Sequence, residues 1–420
     1  MSKYLSHRAA PLLVFFLSVV VALGFQIILP QQFDSVGSDF VTRDLPIAQA
    51  ILAGQSVIHR DMVFVVGFPV IIAGVIRASQ ALSIPFENAL RILAVLEMGL
   101  TTVEIFVLTR FVWSARRAWL AALLWLTYPF ALWLTTQNGT ELSFIVFFLA
   151  SLVFFWYAAF VQPDALWAWI TAGALVGMSI LIRPFAVGVP LVMALGLWIL
   201  GQNHAIRHTG WVAAIFLAGS LIILAPWEIL VFQNTGRWVL LGDQGTGSIR
   251  DGLTFAVDLK DYRRGVAVPE DVMVFMRDAA ANQARLDTLG HIVGFVWSYA
   301  ETEPITILKF FMLKAARAWY GTDSQRFEQI TSVVQLGYLL LAIAGTVIAW
   351  RQDGKGRVVI VGMLLLIGYF WAITMLALPI LRYMVPAMPL VMILISGLVA
   401  VSPMFRESIR RNNAGSTGIV

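Results

Sequence analysis

The chain contains no cysteine, so disulfides, thiolate metal sites and a cysteine nucleophile are excluded. Charge is also scarce. Only 13% of the 420 residues are Asp, Glu, Lys or Arg, while 59% are hydrophobic. A soluble domain of ordinary composition carries about a quarter charged residues. The five histidines do not cluster as metal ligands, and no His-Glu-x-x-His occurs. The net charge of +5 is not gathered into a basic domain, which argues against nucleic acid as a partner. The glycine-rich stretch Gly242–Gly247 lacks the lysine of a nucleotide P-loop and the spacing of a dinucleotide fingerprint. It reads as a flexible loop over an outward cavity.

Apolar sequence, by contrast, is abundant. Mean hydropathy is +0.82, and apolar runs near the ~20 residues needed to cross a bilayer recur along the chain. The fold class is therefore all-α, polytopic and membrane-embedded. About ten spans are expected, at 10–29, 90–112, 118–136, 142–161, 165–182, 185–201, 210–230, 331–350, 358–379 and 384–402. Fifteen Trp and nine Tyr suit interfacial belts. The first span is longer than a signal-peptide core and has no convincing small-x-small cleavage site, so it is expected to be retained. Met62–Leu82 is apolar but interrupted by Gly67, Pro69 and Gly74, which suggests an interfacial or re-entrant segment.

Positive charge sets the orientation. Lys3 and Arg8, Arg116 and Arg117, His204, Arg207 and His208, Arg351, Lys355 and Arg357, and Arg406, Arg410 and Arg411 form five groups between or beyond spans. If Met62–Leu82 does not cross, all five fall on one side, the cytoplasm, with both termini. The chain then reads as one membrane domain over 1–420. It has a first outer loop with interfacial helices at 30–89, a long outer region at 231–330 and a cytoplasmic tail at 403–420, disordered after Asn412. Thr306–Tyr320, with Lys309, Lys314 and Arg317 among apolar residues, reads as a basic amphipathic helix on the outer membrane surface.

Several polar residues fall on that outer side. Asp39 stands in the first loop with Arg43 and Asp44, fifteen residues before Gly54. Glu141 opens a helix, where a carboxylate complements the helix dipole, and Asn138 lies in the turn before it. Arg183 and Arg382, the latter followed by Tyr383, lie at helix ends facing the same compartment. Each arginine reads either as an interfacial anchor or as a planar grip on a phosphate. Their convergence with Arg43 favours an anionic ligand. Glu97 and Glu104 lie inside a span, seven apart and so on one face. They either line a path through a transporter or lipid flippase or pair with Arg91 and Arg110.

Taken together these positions resemble the polyprenyl-phosphate-dependent glycosyltransferases of the GT-C fold, with the protein O-mannosyltransferase and lipid A aminoarabinose transferase families the nearest groups. The points of likeness are Asp39 with Gly54, Phe68-Pro69, Glu141, Gly173-x-x-x-Gly177 leading to Arg183-Pro184, Pro226-Trp227 ending the seventh span, and Arg382-Tyr383 with Pro386 and Pro389. The resemblance implies inverting transfer of a sugar from a polyprenyl-phosphate donor to a lipid, glycan or protein acceptor at the outer face of a bacterial inner membrane. It implies Asp39 as general base and Glu141 as a second catalytic acid. Arg43, Arg60, Arg183 and Arg382 would meet the donor phosphate, and Asp44, Asn138 and Tyr383 would line the cavity. No cofactor is fixed by the resemblance, and a divalent metal stays open because related enzymes differ. The chain departs from the pattern at Phe40, where Glu is common, and at Arg43, where Tyr is usual.

Overall fold

A computed structural model describes residues 9–30, 39–58, 62–203, 209–239, 241–257, 267–322, 324–352 and 354–399. Arg60, the flanking cations of the first and last spans, and His204, Arg207 and His208 lie outside the described residues, as does the tail after Asn412.

The described elements are helical. The first is α1 (Ala9–Ile28), followed by a single π-helical turn at Phe40–Asp44 that runs directly into α2 (Leu45–Leu52). Next come α3 (Gly67–Leu82), α4 (Phe86–Val112), α5 (Ala115–Leu126) and α6 (Pro129–Leu134). Then follow α7 (Glu141–Phe160), α8 (Leu166–Ile182), α9 (Val189–Asn203) and α10 (Thr209–Thr235). The region after α10 contributes α11 (Gln244–Asp251), α12 (Glu270–Ala281), α13 (Leu289–Thr302) and α14 (Pro304–Arg317). The chain closes with α15 (Glu328–Gln352), α16 (Gly354–Leu376), α17 (Leu381–Met384) and α18 (Met388–Ile395). Among the described residues seven helices are long and apolar enough to cross a membrane, and Gly67–Leu82, Leu166–Ile182 and Pro184–Ile199 are shorter apolar helices. The protein is an integral membrane protein.

Four expectations about where elements run need correction. The span expected at 118–136 is broken between α5 and α6. Tyr128 precedes Pro129 and takes an extended conformation, ψ 115°, because the proline ring crowds a helical residue before it. Met62–Leu82 is not interrupted by its glycines and proline: Pro69 lies in the first turn of α3, where a missing N–H leaves no bond unmade. Pro226 does not end the seventh span, since α10 runs on to Thr235. Gly236, at φ +72°, supplies the left-handed residue that typically follows a helix C-terminus. Gly245 and Gly247 sit within the helical turns of α11 rather than in an open loop.

Small residues let the spans approach closely. A Cβ on Gly177 would lie 2.8 Å from the Ser220 carbonyl oxygen, and one on Gly219 would lie 2.5 Å from that of Ile170. Backbone contact of this kind drives helix pairing where water supplies no hydrophobic force. At one end of the bundle, Arg117 donates from Nε and Nη2 to the Val399 carbonyl at 3.0 and 2.9 Å. This cation, expected in a loop, is instead buried between the start of α5 and the end of the last span.

The region from α11 to α14 has its own small core of Val272, Phe275, Met276, Ile292 and Phe310. Here α14 departs from a surface helix. Only Lys309 of its three cations is substantially exposed, in an ion pair with Asp271 at 2.7 Å, while Lys314 and Arg317 are buried. Lys314 donates to the Leu376 carbonyl at 3.1 Å. Arg317 donates to that of Pro379 at 2.9 Å and pairs with Glu328 at 2.6 Å. Both cations therefore hold the turn between α16 and α17.

Candidate functional site

Three short features converge near the start of α7. The first is the π-helical turn. Asp39 stands immediately before it without a side-chain capping bond, and Arg43, four residues on, lies 3.5 Å from the Asp39 carboxylate. Arg43 also grips Asp44 with two bonds, Nε to Oδ1 at 2.7 Å and Nη2 to Oδ2 at 3.0 Å. Phe40, the departure from the family pattern, points inward and packs edge-on against Phe68 with ring centres 6.5 Å apart. It acts as the apolar peg that seats the turn. Insertions of this π type recur at functional sites.

The second feature is the turn Gln137–Thr140 and the first residue of α7. Glu141 is buried, and Gly139 makes room for it, since a Cβ there would collide with Glu141 Oε2. Gln137 and Asn138 are buried beside it. The third feature is a pair of arginines on two chain breaks. Pro184 forces Arg183 into an extended conformation, φ −140° and ψ 102°, which ends α8 and turns the side chain toward α7. Arg382 rises from α17, which follows the extended residue Ile380. Both meet one oxygen of Glu141: Arg183 Nη1 at 2.5 Å and Arg382 Nε at 2.9 Å. Arg183 also donates to the Thr140 hydroxyl at 3.1 Å, and its guanidinium lies over the rings of Phe185 and Tyr383 at 5.0 and 5.2 Å.

The clusters sense one another. Burial pushes the Asp44 carboxyl above the usual carboxylate range; Arg43 works against that shift, while the charges of Asp39 and Glu141 add to it. Arg382 likewise opposes the charge on Arg43. Asp39, Arg43, Asp44, Glu141, Arg183, Arg382 and Tyr383 thus share one electrostatic neighbourhood. The acids differ in engagement. The Asp44 and Glu141 side chains are 5% and 3% exposed and each is held by arginine, whereas Asp39 is 56% exposed. Of the arginines, Arg43 and Arg382 each keep 19% of the side chain accessible.

The intramembrane acids behave differently from either expectation of an arginine partner. Glu97 accepts a short hydrogen bond from Ser143, the second residue after Glu141, and Arg110 donates to the Trp113 carbonyl at 3.1 Å. Glu104 keeps a buried carboxylate oxygen with no hydrogen-bond partner. No group of three or more His, Asp or Glu suited to a metal is present among the described residues.

Two supporting residues escaped the sequence reading. Tyr369 donates to the Phe185 carbonyl at 2.6 Å and accepts from Gly188 N–H at 2.9 Å, pinning the loop after Arg183. Its only signal was one of two hydroxyls, with that of Thr374, in an otherwise apolar span. Gln26 donates to the Thr135 carbonyl at 2.8 Å, tying α1 to the turn before Glu141.

Comparison with known proteins bears on the family and the fold. Residues 67–229 match the family model described as dolichyl-phosphate-mannose-protein mannosyltransferase. No curated protein sequence matches the chain. The fold is similar to the Archaeoglobus fulgidus oligosaccharyltransferase in its apo form, with a TM-score of 0.54 at 13% identity over 94% of this chain and 51% of that one. It is also similar to the oligosaccharyltransferase AglB of the same organism in complex with an inhibitory peptide and a dolichol-phosphate, with a TM-score of 0.55 at 15% identity over 98% of this chain and 52% of that one. The chain spans about half the length of these structures. It is a membrane protein of the GT-C fold whose residues 67–229 carry the pattern of that mannosyltransferase family.

Proposed function

We propose that the protein is a membrane glycosyltransferase that moves a sugar from a polyprenyl-phosphate carrier to an acceptor at the outer, periplasmic face of the membrane, with inversion at the anomeric carbon. The observation that carries this reading is the unequal state of the three site acids. Asp44 and Glu141 are buried against arginines, and Asp39 alone presents an accessible carboxylate beside them.

In this reading Asp39 takes the proton from the acceptor nucleophile as the nucleophile attacks the anomeric carbon. The bond from that carbon to the phosphate oxygen breaks, and its electron pair leaves with the lipid phosphate. Arg43 and Arg382, the arginines with accessible faces, steady the developing phosphate charge. Glu141 fixes Arg183 and Arg382 in place rather than touching the acceptor. The family match over 67–229 and the dolichol-phosphate bound in the AglB neighbour support a lipid-phosphate carrier. Lipid, glycan and protein acceptors all suit an outward opening.

The test supplies the purified protein with polyprenyl-phosphate-linked labelled sugars and membrane extract as acceptor source. Mass spectrometry of co-purifying lipid selects the donor. Asp39→Asn is expected to lower transfer by about 100-fold or more, the usual range for loss of a general base, with unchanged thermal unfolding. Full transfer by Asp39→Asn would remove the proposed base.

A further inference from the structure

A second site lies on the far face of α2. Asp44 and Ala48 point inward from this segment, while Leu45, Gln49 and Leu52 line a groove shared with Ile76 and Arg77 of α3 and Phe86 of α4. The groove holds about 560 Å³ and is open on one side. Its walls are mostly apolar. Three polar side chains, Gln49, Arg77 and Gln80, line it, and among the described residues none of them has a side-chain hydrogen bond or ion pair.

The combination is specific in its chemistry. An exposed guanidinium flanked by two amides offers donors and a positive charge to a phosphate oxygen. The adjoining Leu45, Leu52, Ile76 and Phe86 offer apolar surface for hydrocarbon. The level of the groove is also informative. Phe86 is the first residue of the membrane-crossing helix Phe86–Val112, so the groove sits where that span leaves the hydrocarbon, at the depth of lipid headgroups.

We infer that this groove is a binding site for an anionic phospholipid of the surrounding leaflet. The phosphate meets Arg77, Gln49 and Gln80, and an acyl chain runs along Leu45, Leu52, Ile76 and Phe86. The site is separate from the donor site, because Asp39, Arg43 and Asp44 belong to the preceding turn. It nevertheless bears on that turn: α2 continues it without a break, so a lipid wedged between α2 and α3 fixes the angle at which Asp39 is presented. An anionic lipid would therefore activate transfer as well as bind. The binding claim is independent of which reaction the protein performs.

The experiment uses native mass spectrometry of the full chain released from nanodiscs of dioleoylphosphatidylcholine containing dioleoylphosphatidylglycerol. The native protein is expected to retain one phosphatidylglycerol in preference to phosphatidylcholine. Arg77→Gln should weaken that retention about fivefold, the effect of one basic residue at an anionic surface. Ala53→Trp, which fills the groove from an exposed position, should weaken it as well. Arg285→Gln, which removes an exposed charge from the outer-side region, should leave it unchanged. Equal retention of the two lipids, or equal losses from Arg77→Gln and Arg285→Gln, would overturn the assignment. If phosphatidylglycerol binds as described but no sugar transfer is found, the lipid site stands and the transferase reading fails.

Discussion

Asp39, Asp44 and Glu141 are chemically similar but answer differently to removal of charge. Glu141 neutralises two arginines in a buried setting, and taking one partner out of a buried ion pair typically costs about 3–5 kcal/mol. Glu141→Gln is therefore expected to lower the thermal midpoint in detergent clearly, while Asp39→Asn stays within about 0.5 kcal/mol of the native protein, as exposed substitutions do. Equal midpoints for the two variants would contradict the division of roles. Lys314 adds a pH-dependent case. Burial, reinforced by the nearby Arg317 charge, pushes its amine down to about 7. The unfolded chain therefore holds this proton more tightly than the native one. The penalty is fully present below pH 7 and disappears as pH rises toward the ordinary lysine value near ~10.4. The stability of the native protein relative to Lys314→Met should accordingly rise between pH 6 and 9, by at most about 1.4 kcal/mol per unit. A pH-independent difference would mean that the amine titrates normally.

Element boundaries were legible where a proline or glycine acts through the backbone alone. Gly54 is the clearest case: at φ +67° it lets Gln55 N–H reach the Ala50 carbonyl at 2.9 Å and its own N–H reach that of Ile51 at 3.1 Å, the paired bonds of a Schellman cap. A Cβ there meets nothing within 4 Å, so Gly54→Ala costs only backbone strain, about 1–2 kcal/mol. It should show as faster hydrogen exchange confined to residues 45–55. Gly173→Leu differs, because a Cβ there would strike the Phe216 carbonyl; it should separate α8 from α10 and abolish folded yield. Pro226 misled because a proline tells only that its own N–H is missing, not whether flanking turns have enough packing to carry a helix past it. The partners of Glu97 were likewise invisible, since helix periodicity gives the face of a residue but not which neighbour, here Ser143, stands opposite.

Across the whole molecule, the site depends on parts that sequence order keeps far apart. Charge patterning placed Asp39, Glu141, Arg183 and Arg382 in one compartment, and the structure brings them into one neighbourhood. It gave no hint that α14 holds the Arg382 turn through Lys314 and Arg317, because buried cations bonded to carbonyls look in sequence like an amphipathic surface helix. Arg317→Met leaves Glu328 buried without its partner and should destabilise the region by about 3–5 kcal/mol. Adding Glu328→Leu should recover much of that loss in the same unfolding measurement. No recovery would place the effect in the bonds of Arg317 to the Pro379 and Thr322 carbonyls instead.

The π-helical turn also makes the position of Asp39 a matter of chain count. A wide turn accommodates one residue more than an α-helical turn of the same height. Deleting the exposed Val41 would let the turn rewind to ordinary pitch and leave what precedes it near its present bearing, because the extra residue is what the extra width holds. Asp39 would then stand three residues before Arg43, still on its face of the helix, whereas deleting one residue from the regular turns of α2 would swing Asp39 by about 100° around that axis, one residue's share of an α-helical turn.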